Sequence, residues 1–179
     1  MKGLKALYVL VPLAVALLSR VFRLHDKISD LFYIRFAFDT FNILFPMATL
    51  SGHDLTPRLK AAIRSAREPA MYAVFYRYAG FPEPRIDRQL VRTALDNWGW
   101  FWVAVESFAL ILVTTICLLS MNAQRDVGLC ATILLVLLAF LVLQWFVCRA
   151  TAAKEVRAVL EDSERKSAVR AYFAQMAQG

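Results

Sequence analysis

The chain has 179 residues, 59% of them hydrophobic, with a net charge of +7 and a mean hydropathy of +0.51. That apolar content, gathered in blocks, is more than an ordinary soluble domain carries. The basic residues lie between the blocks, which speaks against the continuous basic patch of a soluble nucleic-acid binder and fits loops beside a membrane.

The chain opens on two lysines, Lys2 and Lys5, and an apolar core over residues 6–18, the order found in a signal peptide. Ala14-Val15-Ala16 falls inside that core, and no small-residue cleavage site follows it. The expectation is an uncleaved first membrane helix, in which Pro12 is tolerated. Residues 19–30 follow as a polar connector holding Arg20, Arg23, His25, Asp26 and Lys27.

Residues 31–50 form a second apolar run, and about 20 such residues cross a hydrocarbon core of about 30 Å. Arg35, Asp39 and Asn42 sit inside it. A charge at the bilayer centre costs on the order of 3 kcal/mol, so such residues face a partner, a cavity or another subunit. Arg35 and Asp39 are four apart, within pairing reach on one helix face, and Asn42 lengthens the polar stripe. Three readings stay open: an ion pair that fixes packing, the lining of a pore, or an interfacial or re-entrant helix in place of a span. Pro46 and then Ser51-Gly52 close the run.

Residues 51–96 make the sizeable loop. Thr56 is placed to cap a helix whose first residue is Pro57. The helix is amphipathic, with Leu59, Ile63 and Ala66 on one side and Arg58, Lys60, Arg64 and Arg67 around the rest. That basic face suits anionic lipid headgroups, a cytoplasmic protein, or an anionic or nucleotide signal. Pro69 marks a kink or new start, residues 70–79 are aromatic enough for the membrane interface, and Gly80 with the following FPEP breaks the chain.

The third span runs over residues 98–121 and opens on Trp98, Trp100 and Trp102, residues enriched at the membrane boundary. Glu106 lies about two turns inside; it is protonated, paired with Arg35, or open to water, and a ring of such carboxylates would favour cations. Residues 122–126 are a tight polar turn. The fourth span covers 127–148, with Gln144 near its exit. A helix then continues without a breaker to 178, carrying a loose apolar stripe of Val156, Leu160, Val169, Phe173 and Met176 suited to pairing with a neighbour.

Cys117, Cys130 and Cys148 lie in or at the ends of apolar runs without metal-site spacing, and His25 and His53 belong to no metal motif. No nucleophile elbow, Walker loop, dinucleotide fingerprint or CxxC pair occurs, so neither an enzyme, a metal nor another cofactor is expected. An intramembrane lipid enzyme with a dispersed site is a third, lesser reading. The 51–96 loop holds eight Lys and Arg and the tail six, against Arg125 alone in the 122–126 turn. Loop, tail and both termini therefore belong in the cytoplasm.

The expectation is an all-α, multi-pass protein of the inner membrane with about four spans. It divides into a first hairpin (1–50), a basic loop (51–96), a second hairpin (97–148) and a helical extension (149–179). A homo-oligomer would complete the polar interior, and no nucleic-acid partner is expected. The leading function is a regulated ion-conducting or membrane-perturbing assembly gated by loop and tail, similar in build to small effectors of bacterial antiviral defence. The rival is a non-catalytic anchor or sensor that docks a cytoplasmic protein.

Overall fold

The computed structural model describes residues 24–120 and 124–178, so the expected first span and part of the 122–126 turn lie outside the described residues. Every regular element among them is helical: α1 (Leu24–Leu31), α2 (Ile34–Phe38), α3 (Phe45–Leu50), α4 (Pro57–Ser65), α5 (Arg67–Met71), α6 (Arg77–Ala79), α7 (Arg88–Ser120), α8 (Gln124–Glu161) and α9 (Ser163–Gln178). Two π-helical turns, Asp39–Leu44 and Tyr72–Tyr76, join α2 to α3 and α5 to α6. The chain divides into two units: residues up to Ile34 with Trp102–Phe140, and Arg35–Phe101 with Leu141 onward.

Among the described residues α7 and α8 are the helices long and apolar enough to cross a membrane, so two of the three spans expected there are candidates. Their most apolar windows are 11% and 0% buried, so the large apolar side chains face outward instead of into a protein core. Both helices outrun the spans expected from hydropathy, since α7 begins at Arg88 and α8 ends at Glu161. In the first unit α1 meets α7 through His25, whose ring lies 6.1 Å from that of Trp102.

Residues 31–50 do not form a third candidate span. The run breaks at Tyr33, whose φ of 53° is left-handed, and restarts at Ile34. Pro46 supplies no backbone N–H, and in a regular α-helix its ring would crowd the carbonyl of Asn42. The chain widens into a π turn just ahead of it, where the Phe45 N–H reaches the Thr40 carbonyl. Phe38, Ile43, Leu44, Met47 and Ala48 are then buried. Phe38 packs on Trp98 and Trp145, and the elements against the π turn and α3 are α4, α5 and α9. Residues 70–79 are corrected in the same way: Ala70, Met71, Val74, Phe75, Tyr78 and Ala79 belong to the core of the second unit and not to a membrane interface.

α4 follows expectation. Thr56 Oγ1 accepts from the Leu59 N–H at 3.2 Å, and Leu59 and Ile63 are buried. At the other end of the chain the unbroken helix to 178 is corrected. α8 stops at Glu161, and Asp162 Oδ1 accepts from the Arg165 N–H at 2.8 Å, capping α9. α9 lies on α3, α4 and the second π turn, with Val169 and Phe173 fully buried. The stripe assigned to a neighbouring subunit is thus covered largely by its own chain, Val156 and Leu160 included.

In the second unit α7 and α8 run antiparallel. Gln144 Nε2 donates to the Asn97 carbonyl at 2.9 Å, Asn97 Nδ2 donates to Thr151 Oγ1 at 3.1 Å, and the rings of Phe101 and Trp145 lie 5.8 Å apart. Phe38 joins this seam, with ring centroids 4.4 Å from Trp98 and 5.3 Å from Trp145.

Candidate functional site

The charged cluster of the second unit is built on its two π turns. Asp39 begins the first, with its side chain 6% exposed. Arg67 begins α5, brought there because Ala66 (φ −108°, ψ 30°) turns the chain between α4 and α5. Its Nη1 donates to Asp39 Oδ2. Arg35, one turn before Asp39, holds Nε 4.0 Å from the same oxygen, at the limit of an ion pair. Arg35 Nη2 also donates to the phenol oxygen of Tyr76 at 3.4 Å, and Tyr76 closes the second π turn. A π turn re-aims the side chains that follow it, and such turns gather at functional positions.

Burial pushes the Asp39 carboxyl above its ordinary value of 3.8 and outweighs the opposing pull of Arg67 and then Arg35. The Tyr76 phenol is raised as well, first by burial and then by the charge of Asp39. Beside them Thr40 Oγ1 is buried and, among the described residues, has no hydrogen-bond partner. Chemically the cluster is a latch: one buried carboxyl, able to exchange a proton, closes α5 onto the first π turn.

The basic face of 58–67 is engaged within the chain to a degree that hydropathy and spacing did not predict. Besides the contact of Arg67 with Asp39, its guanidinium lies 5.7 Å from the centre of the Phe36 ring. Arg64 lies 5.7 Å from Phe41 and 5.8 Å from Phe45, cation–π contacts worth about 0.5–1 kcal/mol each at exposed sites. Arg58 Nη2 donates to the Gln178 carbonyl at 3.0 Å, and Lys60 is half-buried.

Of the other polar candidates, Asn42 and Gln144 belong to the second unit. Asn42 is half-buried within the first π turn. Gln144 is buried in the α7–α8 seam. Glu106 is in the first unit, with Oε1 3.6 Å from His25 Nδ1. The three tryptophans take three environments: Trp98 in the aromatic seam, Trp100 exposed, Trp102 beside His25. Among the described residues no group of three His, Cys, Asp or Glu side chains is placed to hold a metal ion. Sequence reasoning missed Arg67 as the partner of Asp39, the Tyr76 contact and the Asn97–Gln144–Thr151 ladder. Each is a tertiary contact without a periodic signal.

A protein-family model described as the YmfE protein family matches residues 2–175. No curated protein and no solved structure matches the chain.

Proposed function

The chain belongs to the YmfE protein family, and we propose that it is a non-catalytic membrane anchor. In this reading α7 and α8 cross the inner membrane as an antiparallel pair, and residues 35–99 with 148–178 stay in the cytoplasm to dock a protein partner. The carrying observation is the outward-facing apolar surface of the two long helices. Exposed large apolar residues run from Trp100 to Leu119 on α7 and from Leu129 to Val147 on α8. At 1.5 Å per residue those stretches measure about 28 and about 27 Å, close to the hydrocarbon thickness. Within them Glu106 is the only charged residue.

This favours an anchor over a pore. Of the residues expected to line a path, Asp39 is buried against Arg67, and Arg35 donates to Tyr76. The cytoplasmic assignment follows the excess of Lys and Arg in residues 51–96 and after 148. The test is reconstitution of the full chain into liposomes, with carbonate extraction and ion flux measured on one preparation. The chain is expected to stay with the membrane at alkaline pH and to pass no more ion current than empty vesicles. Release by carbonate would remove the anchor; flux that rises with protein content would restore the pore.

A further inference from the structure

Beyond the end of the apolar stretch of α8 the chain turns a corner into α9, and the corner holds an open cleft of about 520 Å³. Lys154, Arg157 and Glu161 reach it from α8, and Lys166 from α9. The α8 residues are spaced at three, four and seven, which sets them on one helix face. Leu50, Ala158 and Leu160 supply apolar walls. Among the described residues none of these three cationic side chains makes an ion pair, a hydrogen bond or a cation–π contact, whereas Arg58 donates a hydrogen bond, Arg64 lies against aromatic rings and Arg67 pairs with Asp39.

The corner is fixed by Arg165. Its Nη1 donates to the Arg85 carbonyl at 2.7 Å, its Nη2 to the Ala158 carbonyl at 3.2 Å, and its Nε lies 3.8 Å from Asp162 Oδ1. Cations from two helices are thereby held around one opening before any ligand arrives. Three positive charges against one negative, over an apolar floor, match a phosphate ester attached to a hydrocarbon body. Depth selects the source. Lys154 and Arg157 stand about 10 and about 15 Å beyond Val147 along α8, which brings long basic side chains to the headgroup layer of a bilayer whose core ends near that residue.

We propose that the α8–α9 corner binds the phosphate headgroup of an anionic phospholipid through Lys154, Arg157 and Lys166, a role that rests on the membrane anchor described above. Each cation near an anionic lipid surface contributes on the order of 1 kcal/mol, or about fivefold in affinity. The test uses the full chain in a nonionic detergent, titrated with dioctanoyl phosphatidylglycerol, dioctanoyl phosphatidylcholine and inorganic phosphate. Saturable binding of the phosphatidylglycerol is expected, weakened about fivefold by each of Lys154→Gln, Arg157→Gln and Lys166→Gln. Glu161→Gln removes the opposing charge and should tighten binding, a gain that misfolding cannot imitate. Arg77→Gln, at an exposed cation outside the cleft, should leave it unchanged.

Equal binding of phosphatidylcholine, or indifference to all three substitutions, would overturn the site. Displacement of the lipid by inorganic phosphate at equal concentration would overturn the lipid as its source and assign the corner to a free phosphate. Carbonate extraction of the same variants separates this proposal from the anchor. A chain that is released yet still selects phosphatidylglycerol upholds the corner and defeats the anchor; a chain that stays inserted without headgroup preference does the reverse.

Discussion

Asp39 and Arg67 are 28 residues apart in the chain, and their contact decides what a charge inside an apolar helix is doing here. Removing Arg67 leaves a buried carboxyl with Arg35 only at 4.0 Å. Arg67→Ala should therefore cost about 3 kcal/mol near neutral pH. Asp39→Asn keeps an acceptor for Arg67 without a buried charge and should cost no more than about 1 kcal/mol. The double variant should then be more stable than Arg67→Ala alone; thermal melts of the four proteins in one detergent check this. The pH dependence has a definite sign. Asp39 titrates above its ordinary value in the folded chain, so the native state binds more protons than the unfolded one between the two values. Its contribution is full below pH 3.8 and is lost as pH rises through the native value. The melting temperature of Asp39→Asn relative to the unaltered chain should accordingly climb with pH across that window, and a fall would refute the burial account. The i,i+4 spacing made Arg35 and Asp39 legible as neighbours. Arg67 was not legible, because a tertiary partner leaves no local pattern.

At the scale of elements, hydropathy reports how apolar a helix is and not what covers it. That is why α7 and α8 were legible as spanning candidates while 31–50, 70–79 and the tail were misassigned. The inner faces of α2 and α3 have the composition of a membrane helix, but their cover is other helices of the chain. Only Pro46 carried a local hint of the irregular turn, since proline seldom sits inside a regular helix without displacing a carbonyl. The α9 stripe was legible as apolar, yet its partners in α3, α4 and the second π turn were not. Stability therefore tests α9 better than oligomer order does. Phe173→Ala empties a fully buried site and should cost about 3–5 kcal/mol. Truncation after Asp162 should expose the buried faces of α3 and α4 and produce aggregation in place of a smaller oligomer. A truncated chain that melts like the full one would return α9 to the role of a free interaction arm.

At the scale of the whole molecule, charge distribution and apolar length act on the same two helices, and together they argue for the orientation proposed above, which either alone leaves open. Length permits α7 and α8 to cross a bilayer but is indifferent to direction. Direction comes from the basic residues that flank the crossing: Arg88 and Arg92 near the start of α7, and Arg149, Lys154 and Arg157 after the apolar stretch of α8. Translocating those ends would work against the bias that holds Lys and Arg on the cytoplasmic side. The opposite ends of the pair carry Arg125 and Asp126, too little charge to compete. Single cysteines at Ser120 and Ser167, both exposed, report the two sides once Cys117, Cys130 and Cys148 are replaced by serine or alanine. In spheroplasts an impermeant maleimide should label Ser120→Cys at once and Ser167→Cys only after lysis. Immediate labelling of Ser167→Cys would place α9 outside and defeat a cytoplasmic docking role. Protection of both sites until lysis would mean that the helices do not cross.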